Sequence, residues 1–145
     1  MTEVAFHFNV PDKLGYACRL LRKASGGGAR VVVTGDPQAL RTLDAQLWTF
    51  GPAEFVAHCH AATAEAAVLA ASPVVLADSV RGTPHQEVLV NIGAGVPEGF
   101  ERFERLIELV SQEPDDRQLA RGRWKHYADR GYTIVKHDLA DREAR

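Results

Sequence analysis

The chain has 145 residues, 46% of them hydrophobic and 25% charged, the make-up of one globular domain of ordinary size. With 17 Lys and Arg against 19 Asp and Glu the net charge is −2, which speaks against a nucleic-acid coat and against an acidic tail protein. The two cysteines, Cys18 and Cys59, are too few for a disulfide framework and lack a CxxC spacing.

Residues 4–10 (VAFHFNV) predict a strand, with Val4, Phe6, Phe8 and Val10 on one parity. Pro11-Asp12 ends it, and Asp12 is placed to cap a helix over residues 13–25, where Leu14, Ala17, Cys18, Leu21 and Ala24 recur at helical spacing. Gly26-Gly27-Gly28 stops that helix. Residues 30–34 (RVVVT) read as a short buried strand. Asp36 as N-cap and Pro37 in the first turn open a second helix that runs to about Trp48 and buries Leu40, Leu43 and Leu47.

Three strands are expected next, over residues 55–58, 73–77 and 87–92. The Ala-rich stretch 61–71 between the first two fits a short helix or a loop. Phe100, Phe103, Leu106, Ile107 and Val110 then predict an amphipathic helix over residues 100–110. A last helix covers about residues 116–130, Gly131 ends it, and residues 132–135 (YTIV) form a final strand. Strands alternating with helices predict an α/β domain spanning residues 1–145, a three-layer sandwich with a mostly parallel central sheet. The opening Met1-Thr2-Glu3-Val4 predicts no secretory leader. The apolar stretch 61–77, broken by Glu65, Ser72 and Pro73, does not predict a membrane span. The expected setting is the cytoplasm.

Such a fold invites a nucleotide, yet the residues for one are missing. A phosphate loop needs GxxxxGK[ST], and the chain has no Gly-Lys dipeptide. Gly93-Ala94-Gly95 follows a strand, but Gly99 lies one position too far for the dinucleotide fingerprint and Pro97 intervenes. Gly26 to Gly28 follow a helix and so suit its carbonyl end. His58-Cys59-His60 would place two imidazoles on one side of a strand, but two ligands do not make a metal site. No GxSxG or HExxH is present. No cofactor and no catalytic residue are expected.

The last third is electrically split. Residues 98–116 hold seven acidic residues and two arginines, while residues 117–130 hold five basic residues and one aspartate. On a helix, Arg117, Arg121 and Lys125 fall within roughly 80° of arc, with Trp124 at its edge. A basic face bordered by an indole suits an acidic peptide with an apolar anchor, or single-stranded nucleic acid, or simply a solvated helix surface.

Three stretches give the chain a family likeness: VAFHFNVPDKLGYACRLLRKA at the start, LDAQLW followed by EFVAHC, and LARGRWKHYADRGYTIVKHDL at the end. The last is the most specific, a helix of form L-A-R-x-R-aromatic-K-x-Y before a Gly-aromatic turn into a strand. With these the chain resembles the chi subunit of the bacterial DNA polymerase III holoenzyme. The resemblance implies a non-enzymatic clamp-loader accessory protein with a nucleotide-binding-like topology that has lost its phosphate loop. It implies two partners: the acidic C-terminal tail of single-stranded-DNA-binding protein, which ends in a Pro-Phe carboxylate, and the psi subunit or an equivalent. Carried over by position, the tail site would use Trp48, Arg121, Trp124 and Lys125, and the psi contact would include Phe55. Trp124 stands where the family often has tyrosine, and Ala57 where it often has proline. Neither a membrane nor direct high-affinity DNA binding is expected; the alternatives are a single-stranded nucleic-acid-binding module using the basic C-terminal helix and an α/β enzyme with an unrecognised site.

Overall fold

The computed structural model describes residues 1–49 and 56–140. The elements run in the order β1 (Glu3–Val10), α1 (Lys13–Gly26), β2 (Val31–Thr34), α2 (Pro37–Thr49), β3 (His58–His60), α3 (Ala66–Ala71), β4 (Val74–Leu76), β5 (Val88–Asn91), a 3-10 turn (Phe100–Arg102), β6 (Arg105–Ser111), α4 (Pro114–Asp129) and β7 (Ile134–Asp138). The seven strands form one sheet in the order β3-β4-β2-β5-β6-β1-β7. Every ladder among them is parallel. Helices cover both faces, as a parallel sheet requires.

Strand parity decides which helix meets which side chain. Val31, Val33, Val90, Ile107 and Leu109 face α1 and α2, where they meet Ala17, Leu21, Leu40, Leu43 and Leu47. Val4, Phe6, Val32, Leu89, Leu106 and Val110 face the other way, towards Ala120 and Tyr127 of α4 and towards Phe100 and Phe103. Helix ends follow the expected chemistry. The Asp12 carboxylate accepts from the Gly15 N–H at 3.1 Å, and Gly28 takes the left-handed φ of +89° that closes α1.

Three expectations change. Residues 100–110 are not a helix: after the short 3-10 turn, β6 runs through the middle of the sheet between β5 and β1. The run Leu106-Ile107-Glu108-Leu109-Val110 is buried on both faces, and near-continuous apolar sequence satisfies helical and strand spacing alike. Glu108 tips the reading, because an acidic residue suggests a wet helix face, whereas here its side chain is wholly buried. The acidic stretch 98–116 is therefore not carried by a helix beside α4, since β6 runs through its middle. Secondly, the described third strand is His58–His60, and the Ala-rich stretch supplies the six-residue α3. Phe55, at the start of the predicted strand, lies outside the described residues. Thirdly, β7 continues to Asp138, three residues past the predicted end, which brings Lys136 into the sheet.

Candidate functional site

Helix α4 is fixed from beneath by charge. Arg123 and Tyr127 stand one turn apart on its inner side and are buried, as is Glu108 on β6. The Arg123 Nε donates to Glu108 Oε1 at 3.0 Å, the Tyr127 hydroxyl donates to Oε2 at 2.5 Å, and Asn91 of β5 donates to Oε1 at 2.9 Å. Arg123 Nη1 reaches on to the Ala94 carbonyl at 2.8 Å. Burial pushes the Glu108 carboxyl up, against the pull of Arg123 and the other donors, and burial beside Glu108 pushes the Tyr127 phenol up. At the helix's N-terminal turn Asp116 accepts from the Ser111 N–H at 2.8 Å and from Lys13 Nζ at 3.1 Å.

With its inner side pinned, α4 turns Arg117, Arg121 and Trp124 towards the outer strands. Between them lies a recess of about 360 Å³. Phe6, Phe8, Val110 and Ala120 make its apolar floor, and Trp124 walls it with its ring centroid 5.0 Å from that of Phe6. Three cations surround it: Arg117 and Arg121 from the helix, Lys136 from β7. Arg offers a planar fork to a carboxylate and Lys a point charge, while the aromatic wall suits an apolar side chain.

The structure brings together two of the four residues expected at the tail site. Arg121 and Trp124 line the recess. Lys125 does not; its side chain is 76% exposed and its ammonium meets Asp129 Oδ2 at 2.8 Å, a hydrogen bond that lowers the Asp129 carboxyl. Trp48 is elsewhere altogether. It leaves α2 on the opposite face of the sheet, is 62% exposed, and sets its ring edge-on to His58 of β3 at 5.4 Å. Five strand spacings of about 4.8 Å lie between β3 and β1, roughly 24 Å. Sequence reading missed Phe6, Phe8, Val110 and Lys136 as site residues. The parity of β1 already put Phe6 and Phe8 on one face; Val110 was hidden in the misassigned helix and Lys136 beyond the predicted end of β7.

The other regions singled out by sequence resolve as follows. His58 has Nε2 2.8 Å from Asp44 Oδ1 and Nδ1 2.6 Å from the Val56 carbonyl, so both ring nitrogens are engaged by the protein. Among the described residues no group of three or more His, Cys, Asp and Glu is arranged to hold a metal ion. Burial pushes the Cys18 thiol up, away from the reactive thiolate. The crevice at the carboxyl ends of β2 and β5, where open α/β sheets usually bind ligands, carries Asp36, Asp78 and Glu98. Gly35 and Gly93 abut there so closely that a Cβ on Gly93 would stand 3.1 Å from the Gly35 Cα. At the adjoining helix end the Asp36 carboxylate already accepts from the Ala39 N–H at 3.0 Å, taking the place a phosphate oxygen would need.

Residues 1–135 match the family described as DNA polymerase III chi subunit, HolC. The chain belongs to the DNA polymerase III chi subunit family. The DNA polymerase III subunit chi of Pseudomonas aeruginosa is 33% identical over 145 residues, covering 96% of this chain and 98% of that protein. The chi family comprises non-catalytic accessory subunits of the polymerase III holoenzyme, so the role here is in DNA replication. No helix among the described residues is long and apolar enough to cross a membrane.

Proposed function

We propose that this chi-family chain binds the acidic C-terminal tail of single-stranded-DNA-binding protein in the α4 recess, and links it in the cytoplasm to the clamp loader through psi or an equivalent subunit. The observation that carries the reading is the pairing of an aromatic floor with three surrounding cations in one recess. The aspartates of such a tail are drawn by Arg117, Arg121 and Lys136, with Lys125 adding to the field from outside. The terminal phenylalanine enters between Trp124, Phe6 and Phe8, and its carboxylate takes the guanidinium fork of Arg121. A contact of this size suits micromolar affinity, about −8 kcal/mol. The clamp-loader link falls to the other end of the sheet. There Trp48, with Phe55 seven residues on in sequence, supplies an exposed aromatic anchor of the kind that binds partner proteins.

The test is calorimetric titration of the chain with a short acidic peptide ending in Pro-Phe, beside an oligothymidine of similar charge. Saturable peptide binding that weakens with salt and is lost in Arg121→Ala supports the reading. Oligothymidine binding tighter than the peptide, through the same residues, replaces it with direct single-strand binding.

A further inference from the structure

The floor of the α4 recess rests on an irregularity in β1. The register with β6 pairs His7 with Leu109 but Val10 with Ser111, so β1 spends one residue more than its neighbour there. Phe8 and Asn9 share that bulge, level with Val110. Asn9 has a φ of +59°, and among the described residues no other non-glycine residue takes a positive φ. Asparagine is one of the few residue types that accept this conformation, because its short amide finds a partner nearby. Phe8 from the same bulge lines the recess, and Asn9 does not.

The partner of the Asn9 amide is Asp138 of β7. Asn9 Nδ2 donates to Asp138 Oδ1 at 2.8 Å, and the Ala140 N–H donates to the same oxygen at 3.0 Å. Asp138 stands level with Phe8, and Lys136 stands level with Phe6. Side chains alternate along a strand, so Lys136 and Asp138 share one face of β7. It is the α4 face, since Ile134 of the same parity packs into the core beneath α4 and Lys136 lines the recess. Two strand steps of about 3.3 Å separate the two residues, within reach of a lysine side chain. Yet Lys136 takes part in none of the ion pairs formed among the described residues. A carboxylate thus stands two residues from one of the three cations of the recess and is tied to asparagine instead.

From this geometry we infer that Asn9 is the positioning residue of the recess. Its amide holds the Asp138 carboxylate, which leaves the Lys136 ammonium unpaired for an anionic ligand, and its left-handed backbone forms the bulge that carries Phe8. Without the amide, Asp138 closes on Lys136, and the recess loses a cation to an internal pair. The inference rests on the reading of the recess as the site of an acidic peptide with an apolar end, and adds what keeps its third cation available.

The experiment is calorimetric titration of the full chain with the acidic Pro-Phe peptide, each variant first followed through its melt by circular dichroism. Asn9→Gly keeps the left-handed backbone accessible and removes the amide. It should bind the peptide roughly three- to tenfold more weakly than wild type. Lys136→Ala should weaken binding in the wild-type chain but change it by less than about twofold in the Asn9→Gly chain, where that cation is already engaged. Asn9→Asp removes the donor and should weaken binding about tenfold, whereas the swap Asn9→Asp with Asp138→Asn keeps the net charge, reverses donor and acceptor, and should return the affinity to within about twofold of wild type. A merely structural Asn9 would leave the cost of Lys136→Ala the same in both backgrounds. That result overturns the inference, as does wild-type affinity in Asn9→Gly, and either leaves the recess reading standing. If Asn9→Gly melts far below wild type, Asn9→Asp and the swap decide; a swap that melts like wild type yet binds as weakly as Asn9→Asp overturns the inference. Absence of saturable binding by the wild-type chain removes the recess reading, and the role of Asn9 with it.

Discussion

The two tryptophans occupy opposite circumstances. Trp124 is half-buried, held against Phe6 on a helix whose inner side is locked by Glu108, Arg123 and Tyr127, and cations surround it. Trp48 is 62% exposed on the far face, near the β3 edge, beside His58 and Asp44. The first setting is a preformed recess that selects by charge and by shape. The second is a largely exposed ring set edge-on to His58. The proposed bridging role needs two contacts that do not compete, and the helices that carry the two tryptophans pack on opposite faces of the sheet.

The largest effect should come from removing the lock beneath Trp124. Glu108→Ala leaves the Arg123 guanidinium buried without its carboxylate, and such broken pairs cost about 3–5 kcal/mol. Urea unfolding should show that loss, together with weaker tail binding as α4 loosens. The paired change Glu108→Leu with Arg123→Met should recover most of the stability, because no charge is then left buried. A Glu108→Ala variant as stable as wild type would mean that packing around Tyr127 alone holds the helix.

Next comes the recess itself. Arg121→Ala should weaken the acidic peptide by about 1–3 kcal/mol, with the melt unchanged, because its side chain lines the recess and is otherwise exposed. Lys125→Ala should cost clearly less, since Lys125 is outside the lining and turned to Asp129. Equal losses in the titration would shift the bound tail from the recess to the exposed side of α4.

The N-terminal turn of α4 gives a pH-dependent check of about 1–2 kcal/mol, in the range of hydrogen bonds to a charged group. Burial raises the Asp116 carboxyl, but the Ser111 N–H and the Lys13 ammonium outweigh it and hold the group below its ordinary 3.8. A depressed carboxyl binds its proton less readily when folded, so its contribution is present above pH 3.8 and fades as pH falls through the lower folded value. Asp116→Asn should therefore be less stable than wild type at pH 7, with the gap closing in acid. A gap independent of pH would point to lost helix-end geometry rather than to charge.

Much of this was legible in the residues, and the failures have physical causes. Val4, Phe6 and Phe8 on one parity, the RVVVT run and the capped start of α1 announced β1, β2 and the α/β class. The basic face of α4 was read from Arg117, Arg121 and Lys125 at helical spacing with Trp124 at its edge, and of these Lys125 lies outside the recess. Strand β6 was not, because a strand buried on both faces has no alternation to read, and the partner that makes Glu108 acceptable, Arg123, lies fifteen residues on. Trp48 was placed with Trp124 on the resemblance alone, and sequence does not say which face of the sheet the helix that carries it will take. That assignment depends on the crossover of α2 from β2 to β3, which no local pattern encodes.

The smallest expected effect is the most direct test of two separate surfaces. Trp48→Ala removes a side chain that is 62% exposed, so the change in unfolding free energy should stay within about 0.5 kcal/mol, as for other surface substitutions. Affinity for the Pro-Phe peptide should equal that of wild type, since the α4 recess is on the other face and roughly 24 Å away across the sheet. Association with the reconstituted clamp loader should fall sharply, because an exposed aromatic anchor contributes its energy only in the complex. Two results would break the comparison. Lost peptide affinity in Trp48→Ala would join both tryptophans in one site, against their placement. Unchanged association with the clamp loader would leave the Trp48 end without the bridging role and move that contact to another part of the surface.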